Sequence, residues 1–141
     1  MPRSYISHAL RLVVAERARW CCEYCFLHQD DSPDQHQVDH IIPIKHGGPT
    51  ASENLAFAYT ECNWFKGTDF AAIDQLSGEI VSLFNPAHSN GEHFGLEGAR
   101  LAAFSATGRV TVDLLRLNTA ARLLERETLI VSGRYPPSLV G

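Results

Sequence analysis

The 141-residue chain predicts an α+β fold in which short strands and helices share one domain, residues 1–141. Three observations carry that prediction. A capped, apolar-periodic stretch near the N-terminus reads as a helix. Residues 37–67 read as strand, turn, strand and helix. The remainder reads as a short strand, a hairpin and two helical periodicities. With 45% apolar and 20% charged residues, the chain has the composition to bury a core unaided.

Taken in order, Ser7 is placed to cap a helix over about residues 8–19, where Leu10, Val13, Val14 and Arg17 recur at helical spacing. WCCEYCFLH follows and is too tight for a helix core, so it reads as a knuckle. HQDDSPDQH (28–36) is a polar loop with a proline. A strand over 37–42 ends at Pro43. KHGGPTASEN is turn-rich, and residues 55–59 form a second strand. A helix over 60–67 stops at Gly67, a natural C′ residue. Beyond it, residues 76–131 form a C-terminal extension. EIVSLF (79–84) is a strand, FGLEGARLAAFS (94–105) a hairpin turning at Glu97-Gly98, and residues 107–117 and 119–131 are two helices. The Gly/Pro-rich tail, 132–141, reads as frayed.

No apolar run approaches the roughly 18 residues of a membrane span, and the N-terminal stretch interleaves charges with its apolar positions. A cytoplasmic protein is expected, with cysteines serving as metal ligands or free thiols rather than disulfides. The net charge of −4 argues against coating nucleic acid by charge alone, but the charge is uneven. Residues 1–20 carry four arginines against one acid, whereas residues 21–75 carry nine acids against Lys45 and Lys66. The arginine-bearing first helix is either a docking or DNA-contact face or, by the plainer reading, a solvated one.

Cys22-x-x-Cys25 has the spacing at which two thiolates grip one tetrahedral zinc, and Cys62 can supply a third. Three residues before Cys62 stands Tyr59, where a fourth cysteine would complete the set. Cys21, His28 or His36 are the alternative fourth donors. The plain alternative is a knuckle of small buried thiols held by packing.

Asp39 and His40 offer a hard oxygen ligand and an imidazole base side by side. Metal-assisted phosphodiester hydrolysis needs both. On a regular strand they point to opposite faces, so one phosphate can meet both only at the strand end. Asn63 can present its carbonyl to a metal held by Asp39. Asn54 can orient the His40 ring by a direct hydrogen bond, and Lys66 can meet a phosphate. Singly, each has an ordinary explanation: a loop cap, a helix N-terminal residue, a solvated lysine.

Together, Cys22-x-x-Cys25, Val38-Asp39-His40-Ile41-Ile42-Pro43, Gly47-Gly48, Glu53-Asn54-Leu55 and Cys62-Asn63-x-x-Lys66-Gly67 resemble the HNH endonuclease family over about residues 20–69. The resemblance implies a ββα-metal finger that clamps one Mg²⁺ or Mn²⁺ on a DNA phosphate. It implies His40 as general base, Asp39 and Asn63 as metal ligands and Asn54 as the residue orienting His40. Lys45 and His46 become further phosphate contacts. LFNP (83–86), HF (93–94) and TGRVTVDLLRLN (107–118) are similar to stand-alone bacterial members with a C-terminal extension. The family's last histidine is Asn63 here, as in some active HNH domains, and Tyr59 departs from the expected zinc set. The reading is a metal-dependent DNA endonuclease. The alternative is a non-catalytic nucleic-acid-binding module on the same scaffold.

Overall fold

A computed structural model describes residues 5–88 and 93–137. The first helix, α1 (His8–Arg17), begins where Ser7 Oγ accepts the Leu10 amide at 3.1 Å, a cap worth about 1 kcal/mol. It buries Val14 and Ala15, which join Ile6, Ala18, Leu55 and Phe57 in one apolar cluster. Val13, read as part of the apolar stripe, stays half exposed. Arg17 is not a free surface cation. It donates to Ser52 O and Leu55 O and pairs with Glu23 at 2.6 Å. This ties α1 to the centre of the molecule and removes its guanidinium from any docking face.

The chain leaves α1 through Arg19 and Trp20, both at positive φ, and bridges Cys21 to His28. Within this knuckle the Cys22 amide donates to Leu27 O and the Phe26 amide to Cys22 O. Strand β1 (Gln37–His40) then pairs antiparallel with β2 (Leu55–Ala58), with Asp39 opposite Ala56 and His40 opposite Leu55. The sequence predicted β1 two residues longer. It stops at His40 because the next residues bond to the loop instead of a strand partner. Every residue of β2 is buried, since it is covered on both sides. Leu55 and Phe57 face α1, while Ala56 and Ala58 face a second, larger cluster containing Cys22, Cys25 and Cys62.

Helix α2 (Thr60–Lys66) follows at once and ends at Gly67, whose φ of 53° suits glycine. Strand β3 (Ala71–Ile73), which the sequence reading did not assign, pairs with β4 (Ile80–Ser82). Three small or apolar residues carry too little alternation to announce a strand. Strands β5 (Phe94–Glu97) and β6 (Arg100–Ala103) form the expected hairpin. Helices α3 (Ala106–Leu114) and α4 (Ala120–Val131) are capped by Ser105 and Thr119. Asp74, buried in the β3–β4 turn, receives both Arg109 nitrogens at 2.9 Å and the Ser77 hydroxyl at 2.8 Å. The guanidinium holds its carboxyl well below the ordinary range and fastens this hairpin to α3.

The tail is a correction to the sequence reading. Tyr135 is buried and its hydroxyl donates to Cys25 O at 2.7 Å, and Arg134 pairs with Asp31, so the tail is anchored on the knuckle at these two residues rather than frayed from Ser132 onward. Residues 138–141 lie outside the described residues, as does Arg3. No helix among the described residues is long and apolar enough to cross a membrane.

Candidate active site and cysteine cluster

The loop from Ile41 to Asn54 is built around one buried amide. Asn54 Oδ1 accepts the Ile42 amide at 2.9 Å, and Nδ2 donates to Ile42 O at 3.0 Å and Pro49 O at 2.8 Å. Its main-chain oxygen takes the Ile41 amide at 2.8 Å. The side chain therefore acts as a local strand partner and pins both ends of the loop. The two glycines permit this for different reasons. Gly47 has φ 89°, open to glycine. At Gly48 a Cβ would fall 1.7 Å from Ile42 O and 2.7 Å from Asn54 Nδ2, so any side chain would destroy the pinned loop.

This corrects the expected contact between Asn54 and the His40 ring. The amide is spent on the backbone, and Thr50 meets the ring instead, its Oγ1 2.9 Å from His40 Nε2. The other ring nitrogen has no hydrogen-bond partner among the described residues. Thr50 was invisible to sequence reasoning, because nothing in a threonine between Pro49 and Ala51 signals which side chain it will face.

Asn63 projects from α2 and donates to Gln37 Oε1. Gln37 and Asp39, two residues apart on β1, share one face of the strand. Asn63 thus lies over the face that carries Asp39, and its amide oxygen is left free. Asp39 and His40 are both partly exposed at the end of β1. Lys66 departs from its expected role. It is 2% exposed, and its ammonium donates to His40 O at 3.3 Å. Burial pushes its pKa down, with the Asp39 charge opposing. It braces the strand end from below and is not presented to solvent as a phosphate contact. Lys45 and His46 are exposed on a short turn of 3₁₀ helix, with the His46 ring edge-on to Phe70 at 5.1 Å.

On the other side of α2, the sulfurs of Cys22, Cys25 and Cys62 all lie within 4.8 Å of one another, fully buried. None of the alternative fourth donors joins them. Cys21 Sγ meets Arg19 O, His28 Nδ1 accepts the Asp30 amide, and His36 Nε2 bonds Leu27 O. Burial pushes the Cys25 thiol up to about 11 and raises Cys62 well above its ordinary value. Burial also opposes ionisation of Cys22, but hydrogen bonds from the other two thiols prevail and pull its pKa well down. Arg122 of α4 closes the group: it is 3% exposed, donates to Cys62 Sγ at 3.1 Å and lies 5.4 Å from the Tyr59 ring. No sequence pattern marked it, since an arginine in an amphipathic helix ordinarily faces water.

A family model described as HNH endonuclease matches residues 22–69. No curated protein and no solved structure matches the chain. The matched span runs from the first cysteine of the knuckle, across the β1–β2 hairpin and its pinned loop, to just beyond α2. Over residues 22–69, about a third of its length, the chain is similar to the HNH endonuclease family.

Proposed function

We propose that the protein is a metal-dependent endonuclease that hydrolyses DNA phosphodiester bonds, with β1, β2 and α2 serving as a ββα-metal finger. The observation that supports this reading is the placing of unlike groups along β1. Asp39 shares a strand face with Gln37, the partner of Asn63, and His40 follows it at the strand end with Nε2 engaged by Thr50 and Nδ1 without a hydrogen-bond partner among the described residues. A carboxylate and an amide oxygen are hard donors that fit Mg²⁺ or Mn²⁺. Asp39 and Asn63 would hold the ion, which when bound neutralises charge on the scissile phosphate and the leaving oxygen.

His40 acts as the general base. If Nε2–H donates to Thr50 Oγ1, then Nδ1, which has no hydrogen-bond partner among the described residues, is the nitrogen that would take a proton from water. Asn54 acts through the backbone: it fixes the loop that holds Thr50 and the turn after His40. Lys66 fixes the His40 carbonyl. Lys45 and His46 are placed at the rim for backbone phosphates. The acidic balance of residues 21–75 leaves little charge for nonspecific adhesion, so the bound ion must contribute much of the attraction to substrate.

The test is nicking of supercoiled plasmid with Mg²⁺, Mn²⁺ or EDTA. Wild-type protein is expected to cut with either ion and not with EDTA, and Asp39→Ala to lose cleavage. Salt-sensitive DNA binding without cleavage under any ion would instead support the non-catalytic module. A separate result is expected at Thr50. Thr50→Val should lower cleavage about tenfold, on the order of one lost hydrogen bond to a catalytic group, and Thr50→Ser should restore it. Nitrogen NMR of His40 reads the same contact without catalysis: the Nε2 resonance should shift in Thr50→Val and stay near its wild-type position in Thr50→Ser.

A further inference from the structure

The cysteine cluster poses a question of charge. Three thiolates with one Zn²⁺ sum to −1, and burying that charge without a partner is costly. A fourth cysteine would make it −2, but residue 59 is a tyrosine, and its phenol is pushed up to about 12, mainly by burial, which makes it a poor zinc donor. Arg122 supplies the missing partner. Its guanidinium is 3% exposed and reaches Cys62 Sγ at 3.1 Å and Leu115 O at 3.3 Å. Its Nε makes no hydrogen bond, and the nearest carboxylate, the half-exposed Glu61, stands 3.9 Å away. Among the described residues no carboxylate hydrogen-bonds this cation: Glu61 ion-pairs it from the solvent side, and the sulfurs face it from the buried side.

The sulfurs suit the ion. Around tetrahedral zinc at about 2.3 Å per bond, thiolates stand about 3.8 Å apart. The three sulfurs, within 4.8 Å of one another, need to close by no more than about 1 Å. We infer that Cys22, Cys25 and Cys62 form a three-thiolate zinc centre whose negative charge is balanced by Arg122 of the C-terminal extension, with a water rather than a fourth protein ligand completing the coordination. The balance sums to zero, which is what a buried site favours. It also gives the extension a role at the finger: α4 carries the counter-cation for ligands contributed by the knuckle and α2.

The experiment is zinc content of the purified full-length protein by mass spectrometry, with affinity measured by competition against a chromophoric chelator. One zinc per chain is expected in wild type. Arg122→Met is expected to weaken binding about 10–100-fold, the usual effect of removing a group that supports metal ligands. Arg122→Lys, which keeps the charge, should stay within about threefold of wild type. Tyr59→Phe should bind as wild type does. Absence of zinc from wild type, even after zinc supplementation, overturns the centre itself. Zinc bound as tightly by Arg122→Met as by wild type overturns the role of Arg122 alone. If Arg122→Met does not fold, Arg122→Lys decides: a loss beyond tenfold rules out charge balance as the reason. Loss in Tyr59→Phe assigns the fourth position to the phenol and overturns the inference. These readouts do not depend on cleavage, so they stand apart from the test of nuclease activity.

Discussion

Replacing His40 with alanine is expected to lower metal-dependent plasmid cleavage by about 10²–10⁴-fold, the range for loss of a general base, with little change in stability. The ring is partly exposed and, among the described residues, hydrogen-bonds only to the side chain of Thr50. The cost to folding should therefore stay below about 1 kcal/mol. Single-turnover nicking under saturating Mg²⁺ measures the first quantity and a urea titration the second. Cleavage by the alanine variant at the wild-type rate would remove His40 from the chemistry and leave the finger as a binding scaffold. Because Asp39 and Asn63 are untouched, affinity for Mn²⁺ should survive, which separates loss of the base from loss of the ion.

Asn54→Ala should give the opposite signature: a large loss of stability, with activity falling as a consequence. The side chain is 4% exposed and makes three hydrogen bonds, all to backbone groups of the loop. Its removal leaves the Ile42 amide and two carbonyls without their partner, and a destabilisation of about 2–4 kcal/mol is expected. Urea unfolding measures it directly. Asn54→Asp should fare little better, because Ile42 O and Pro49 O would then face an acceptor instead of a donor. A variant as stable as wild type, with its only defect a shifted His40 ring, would favour the direct contact to the ring that the sequence first suggested. The two variants thus assign His40 to chemistry and Asn54 to the shape that chemistry requires.

Much of this was legible beforehand because it is local. Ser7 caps the first helix, Gly67 ends α2, and the hairpin at Gly98 turns where its glycine permits φ 61°. The Cys22 and Cys25 spacing, the Asp39-His40 pair and the order of the asparagines carry the family resemblance, which rests on residue type and separation. The misreadings share a cause. Lys66 reads as a surface lysine because its neighbours in sequence are solvent-facing, with Trp64 79% exposed. Only the packing of α2 against β1 turns it inward.

Helix α4 shows the division most clearly. The sequence predicts a helix over residues 119–131 from the repeat of apolar positions, and the structure forms it over Ala120–Val131 with Thr119 as its cap. By apolarity alone it would bury Leu124 and expose its arginines. Instead Leu124 is 64% exposed, while Arg122 and Arg126 are buried. Arg126 donates to Ala99 O, Leu117 O and Asn118 Oδ1, and Arg122 to Leu115 O and Cys62 Sγ. A guanidinium goes inside only where fixed acceptors await it in fork geometry. Those acceptors come from α2, the β5–β6 turn and the segment joining α3 to α4, and the first two are distant from α4 in sequence. By itself the sequence determined most of the elements, the resemblance to the HNH family over residues 22–69 and the kinds of side chain at the candidate site. The tertiary structure decided which amide holds a loop, which hydroxyl meets the histidine and which cation stands at the cysteines, because each depends on a partner that only folding brings within reach.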